Sequence, residues 1–171
     1  MEELFELKTR QTYDGLKETY RIYFQKIKKQ SFYAEIIVGM LIIITSVIGI
    51  FAGIPIENAI LLIAFGLGIF IAIFNLPKKK ANEAVRLENW DIPNTYTFYQ
   101  NYFLCENYNS KSRLDYEKIE GMYATNNKIV LLYNNQVLHL LFNFSENDFT
   151  EGNFNDFIIF IKDKTNCKIK Q

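Results

Sequence analysis

The chain has 171 residues, with 19 basic and 19 acidic side chains and 49% hydrophobic residues. Residues 81–171 carry 9 basic and 12 acidic side chains, a net charge of −3, which argues against a nucleic-acid binder because such a protein presents a basic face. The length allows one ordinary domain, or a small domain with membrane anchors. The two cysteines, Cys105 and Cys167, have no neighbouring Cys or His in the sequence, so no metal site is predicted.

Residues 1–31 predict a strand followed by an amphipathic helix in the cytoplasm. Phe5, Leu7 and Thr9 alternate with charged residues, as in a half-buried strand. Thr12 is the expected N-cap of the helix. The stripe on one helix face comprises Tyr13, Leu16, Tyr20, Phe24 and Ile27. We interpret this stripe as core, and a partner-binding face is the alternative.

Residues 32–77 predict a transmembrane hairpin. Two uncharged stretches, 36–54 and 59–76, contain 19 and 18 residues and are apolar on every side. A helix of 18 residues spans about 27 Å, close to the hydrocarbon thickness of a bilayer. A soluble core hairpin is the alternative, but a chain this short has little protein to bury it. We therefore expect spans at about 34–54 and 57–76, joined by a turn at 53–58.

Lysines flank the outer ends of both spans, while the turn has no Lys or Arg. The positive-inside rule then places both termini of a multi-pass membrane protein in the cytoplasm. The topology determinants are Lys26, Lys28, Lys29, Lys78, Lys79 and Lys80.

Glycines within the two spans are candidates for close contact between the helices. Small residues let two membrane helices approach each other at the backbone. The candidate packing residues are Gly39, Gly49, Gly66 and Gly68.

Residues 78–95 predict a basic connector, partly helical as far as Trp90 and stopped by Pro93. From residue 96 the hydrophobic period changes to two, which predicts six short strands in an antiparallel meander. Hairpin turns are expected at 100–101, 126–127 and 134–135, where Asn tolerates the left-handed conformation.

The last segment predicts a C-terminal helix, because Phe154, Phe157, Ile158 and Ile161 fall on one helical face. Asn153 or Asn155 is its expected cap. The fold class predicted for the chain is membrane α+β. A two-helix transmembrane hairpin joins a cytoplasmic antiparallel β-roll of residues 96–171 that the C-terminal helix covers, and the N-terminal strand is a candidate seventh strand.

The roll contains Tyr116, Ile119 and Tyr123 ahead of a hairpin, then the strand at 131–133, and Phe149 near the final helix. With the two spans ending in basic residues, this pattern resembles the YcxB-like bacterial membrane proteins. The resemblance implies a location in the bacterial cell membrane, a C-terminal domain similar to the pleckstrin-homology (PH) fold and no enzymatic activity.

No residue pattern predicts a catalytic, cofactor or metal site. His139 is the single histidine, and no partners for a hydrolase triad or a metal centre can be nominated. A phosphoinositide site is not expected either, because Lys111 and Arg113 stand across from the acidic Asp115 and Glu117.

Two functions remain open. The first is a non-enzymatic membrane protein whose PH-like domain binds an unidentified protein partner near the membrane lipid. A homo-oligomer is also compatible with the sequence, and no nucleic acid is expected as a partner. The alternative is an immunity protein against a membrane-acting bacteriocin or secreted toxin, which rests on analogy.

Overall fold

The computed structural model describes residues 2–87, 90–134, 139–165 and 169–170. Cys167, the end of the turn expected at 134–135 and the side chain of His139 lie outside the described part. The helices are α1 (Tyr13–Ile22), α2 (Lys29–Phe51), α3 (Ile56–Ala84) and α4 (Phe154–Lys164). The strands are β1 (Phe5–Thr9), β2 (Asn94–Phe98), β3 (Tyr102–Glu106), β4 (Lys111–Asp115), β5 (Ile119–Ala124), β6 (Lys128–Asn134), β7 (His139–Ser145), β8 (Phe149–Glu151) and β9 (Ile169–Lys170).

The strands form two sheets, in the orders β4-β3-β2-β1-β8 and β7-β6-β5-β9. β1 pairs antiparallel with β2, with Leu7 opposite Tyr96, and its other edge pairs with β8. The first sheet is therefore assembled from residues on both sides of the α2–α3 hairpin. The prediction of an antiparallel sheet region with a C-terminal helix is confirmed. The short strands β8 and β9 were not predicted, and β9 pairs parallel to β5.

Aromatic side chains fill the space between the two sheets, and α4 covers it. The Phe157 ring lies 4.7 Å from the Phe98 ring and 5.4 Å from the Phe5 ring, between centroids. Burying one such side chain contributes about 1.5–3 kcal/mol. Asn153 is the cap of α4, because its Oδ1 accepts the Asp156 N–H at 2.9 Å.

The N-terminal helix does not run uninterrupted into the first long helix. Thr12 caps α1 by accepting the Gly15 N–H at 3.1 Å, as expected. A π-helical turn at Tyr23–Ile27 then follows, and the helix resumes as α2. Ile27 is buried with Val130 and Leu132 on the outer face of the second sheet. A Cβ at Gly121 would lie only 3.0 Å from Ile27 Cγ2, so the close approach of Ile27 favours glycine at this position.

The two long helices turn at residues 52–55, where Gly53 has a φ of +89°. α3 then continues through Pro77 to Ala84, so residues 78–84 of the expected connector belong to the helix. Pro77 lacks an amide donor and weakens the helix. Pro77 and Ala81 are nevertheless buried, and α1 packs against this end of α3. That packing explains why the helix does not stop at the proline.

The position of β1 inside the first sheet makes it essential to the roll. Leu7 is fully buried, so Leu7→Ala is expected to lower the free energy of unfolding by about 2–5 kcal/mol. Its neighbour Lys8 is exposed and forms a surface ion pair with Glu6 at 3.2 Å, so Lys8→Ala should change stability by less than about 0.5 kcal/mol. Urea unfolding of the full chain in mild detergent, followed by circular dichroism, measures both. Equal midpoints for the two variants would contradict the role assigned to β1.

Candidate functional site

A cleft of about 360 Å³ lies between α1, the β1–α1 connection and strand β7, with the end of α3 at one side. We call it the α1–β7 cleft. Its lining residues are Thr9, Arg10, Gln11, Thr12, Gly15, Leu16, Thr19, Tyr20, Ala84, Lys128, Leu140, Leu141, Asn143, Ser145 and Asp148. The volume falls in the lower part of the range typical of ligand sites.

The charged groups in the wall of the α1–β7 cleft are already engaged with other protein groups. Lys128 Nζ donates to the Glu18 carboxylate, and Arg10 Nη2 lies 3.3 Å from Asp91 Oδ2. Asp148 Oδ2 accepts the Ser145 N–H at 2.6 Å. A ligand would therefore meet mainly neutral hydrogen-bonding groups and the apolar side chains of Leu16 and Leu141.

Asn143 holds an unused acceptor in this wall. Its Oδ1 is buried and has no hydrogen-bond partner among the described residues. A buried polar atom without a partner costs about 1–3 kcal/mol, and most such atoms find a protein group, a water or a ligand. Because this oxygen is buried, a donor in the cleft can reach it only if the Asn143 side chain turns toward the cleft.

The α1–β7 cleft follows the free edge of a sheet. Among the described strands, β7 ends the second sheet and pairs only with β6. Leu140 and Leu141 both line the cleft although successive side chains point to opposite faces. The cleft therefore runs along the strand edge, where backbone N–H and C=O groups can pair with an added strand.

Burial favours the protonated forms of one thiol and two phenols among the described residues. Burial raises the pKa of the Cys105 thiol, which lies on β3 away from the cleft. Burial also raises the pKa values of the Tyr96 and Tyr116 phenols. Among the described residues, no group of three His, Cys, Asp or Glu side chains is arranged to hold a metal ion. The described lining of the α1–β7 cleft thus offers hydrogen bonds and apolar contacts.

The six predicted topology lysines lie at one end of the α2–α3 hairpin. Contact between the Phe32 and Phe74 rings, at 6.4 Å, brings the start of α2 beside the later part of α3. The six side chains have three kinds of surroundings. Lys26 and Lys29 lie over the rings of Tyr123 and Tyr33, and Lys80 forms an ion pair with Glu83. The exposed lysines are Lys28, Lys78 and Lys79.

The four candidate packing glycines have different surroundings. Gly39 and Gly66 meet across the hairpin, since a Cβ at Gly66 would lie 3.2 Å from the Gly39 carbonyl oxygen and 2.6 Å from Ile43 Cγ1. Gly49 adjoins Ile54 of the turn. Gly68 is exposed, with nothing within 4 Å of an added Cβ. Two residues rotate a helix by about 200°, so Gly66 and Gly68 cannot both face α2.

Within the described residues, α2 and α3 are long and apolar enough to cross a membrane, with mean hydropathies of 2.5 and 2.6 over their most apolar windows. No family model, curated protein or solved structure matches the chain. The resemblance to the YcxB-like proteins therefore stays a prediction.

The surroundings of Gly66 and Gly68 predict that the same substitution changes the stability of the hairpin differently at the two positions. Gly66→Leu should destabilise the hairpin by about 1–3 kcal/mol, because the added side chain overpacks the contact with Ile43 and Gly39. Gly68→Leu should be neutral or slightly stabilising, since leucine favours helix over glycine. Thermal unfolding in mild detergent compares the two variants. A larger loss at residue 68 than at residue 66 would rule out this helix contact.

Proposed function

We propose that the chain is a non-enzymatic bacterial integral membrane protein that carries a cytoplasmic PH-like interaction domain. The observation that carries the proposal is the lack of cover on the helical hairpin. Only 17% of the most apolar window of each long helix is buried. Ile48, Leu61 and Ile71 have exposed fractions of 60%, 69% and 65%.

Lipid is the environment that best suits such a surface. Soluble monomers rarely expose continuous apolar patches of more than a few hundred Å². The core helix of a soluble protein would bury the same side chains within the protein. A bilayer satisfies them without further protein, and the lysines at the shared end of the hairpin favour a cytoplasmic location for the roll.

The strand order supports the PH-like part of the proposal. β1 to β4 are consecutive neighbours in one sheet, β5 to β7 are consecutive neighbours in the other, and α4 covers the space between them. Two antiparallel groups of consecutive strands and a C-terminal helix support the PH-like domain that the resemblance to YcxB-like proteins implies. The α2–α3 hairpin would then be an insertion between the first and second strands of the domain.

The α1–β7 cleft is the proposed partner site. The edge of β7 that borders the cleft suits an extended protein segment, which offers a donor and an acceptor at each residue. Because the charged wall groups are already paired, an uncharged segment fits better than a charged one.

The topology part of the proposal can be tested by thiol labelling. Single cysteines replace Asn58, which is exposed in the first turn of α3 beside the hairpin turn, and Ser110 in an exposed loop of the roll, in a background that lacks Cys105 and Cys167. An impermeant thiol reagent applied to intact cells should label position 58 and spare position 110. After lysis both positions should react, which controls for accessibility.

Labelling at position 110 and not at 58 would invert the topology. A chain recovered in the soluble fraction would contradict the membrane location itself.

The partner site can be tested with a bulky substitution that fills the cleft. Gln11 lines the cleft from an irregular segment, while Asn109 is exposed in a loop of the first sheet. Gln11→Trp should reduce recovery of a co-purifying protein at least several-fold, and Asn109→Trp should not. Affinity purification from detergent-solubilised membranes, with quantitative mass spectrometry, provides the measurement. If both variants recover the same partners at wild-type levels, the α1–β7 cleft is not the binding site.

A further inference from the structure

A second pocket, of about 310 Å³, lies where the π-helical turn meets the first two turns of α2. We call it the α2 pocket. Its walls include the rings of Tyr23, Phe24 and Phe32 and the polar side chains of Lys28, Ser31 and Glu35. The pocket thus combines one positive group, one negative group and aromatic surface.

The two charges of the α2 pocket have no ion-pair partner among the described residues. The seven ion pairs recorded there do not include Lys28 or Glu35. Lys26 and Lys29 lie over tyrosine rings, and Lys80 pairs with Glu83. Seven residues along a helix correspond to about 10 Å, so Lys28 and Glu35 lie on one helix face with space between them.

Glu35 stands directly before the uncharged stretch 36–54. If α2 enters a bilayer there, the Glu35 carboxylate lies at the boundary of the hydrocarbon region. Ionisable residues at such positions usually have a counter-charge, because an isolated charge in a low-dielectric environment is unfavourable. The ion pairs among the described residues do not include Glu35, so a cation from the surroundings can serve as its counter-charge.

We propose that the α2 pocket binds the headgroup of an aminophospholipid, namely phosphatidylethanolamine. The lipid phosphate accepts hydrogen bonds from Lys28 Nζ, and the primary ammonium donates to the Glu35 carboxylate. The acyl chains then follow the apolar surface of α2 and α3. This inference rests on the membrane location proposed above.

The chemistry of the α2 pocket distinguishes among common phospholipids. Phosphatidylglycerol offers a phosphate to Lys28 but no cation to Glu35. Phosphatidylcholine offers a cation without N–H donors, so it cannot form the charge-assisted hydrogen bonds that a carboxylate accepts. Its quaternary ammonium would instead depend on the aromatic rings for attraction.

Lipid titration of the purified full chain in mild detergent, followed by native mass spectrometry, tests the assignment. The three lipids carry identical acyl chains. Phosphatidylethanolamine should bind about tenfold more tightly than phosphatidylglycerol or phosphatidylcholine. Glu35→Gln should abolish this preference and leave phosphatidylglycerol binding unchanged, whereas Lys28→Gln should weaken both phosphatidylethanolamine and phosphatidylglycerol.

Glu57→Gln is the matched control, because Glu57 lies in the first turn of α3 at the opposite end of the hairpin. It should keep the wild-type lipid preference. An unchanged preference in Glu35→Gln would overturn the assignment, and so would equal binding of phosphatidylcholine and phosphatidylethanolamine to the wild type. Either result, in protein that stays in the membrane fraction with the same unfolding temperature, would leave the proposed function intact. Recovery of the wild type in the soluble fraction would instead contradict the proposed function.

Discussion

The rest of the structure depends on the pairing of β1 with β2. β1 precedes the helical hairpin and β2 follows it, yet Leu7 lies opposite Tyr96 in one sheet. This pairing can form only if the end of α3 lies close to the start of α2. The pairing therefore requires α2 and α3 to run antiparallel, with both ends of the hairpin beside the roll. This conclusion is independent of the topology argument from the flanking lysines. Phe5 and Leu7 of β1 belong to the same core as Phe98 and Phe157, so this core is incomplete without β1.

The segment formed by α1 and the π-helical turn links the roll to the long helices. Its Ile27 packs on Gly121 of β5, while α1 packs against the end of α3. The same segment lines both proposed sites: Leu16 and Tyr20 face the α1–β7 cleft, and Tyr23 and Phe24 face the α2 pocket. Occupancy of one site can change affinity at the other only if the two ligands favour different positions of this segment.

Local patterns in the sequence predicted the elements better than they predicted the sites. Alternation and Asn-containing turns located β2 to β6, and the spacing of Phe154, Phe157 and Ile161 located α4. β8 and β9 are too short to give a periodic signal, and their pairing is non-local. The cleft joins Thr12, Lys128 and Asn143 from distant parts of the chain, which no local pattern can reveal. The choice between an interaction module and an immunity protein has no residue-level signal at all.

The two proposed sites use different physical interactions. In the α1–β7 cleft, Lys128 and Arg10 are engaged by Glu18 and Asp91, so recognition depends on backbone pairing and shape and is little affected by salt. In the α2 pocket, Lys28 and Glu35 are the recognition groups, so binding there weakens as ionic strength rises, to the extent that the pocket is open to water. The charged side chains are paired within the protein in the first site, which suits a polypeptide, and are in no such pair in the second, which suits a zwitterionic headgroup. One helical segment contributes to both sites.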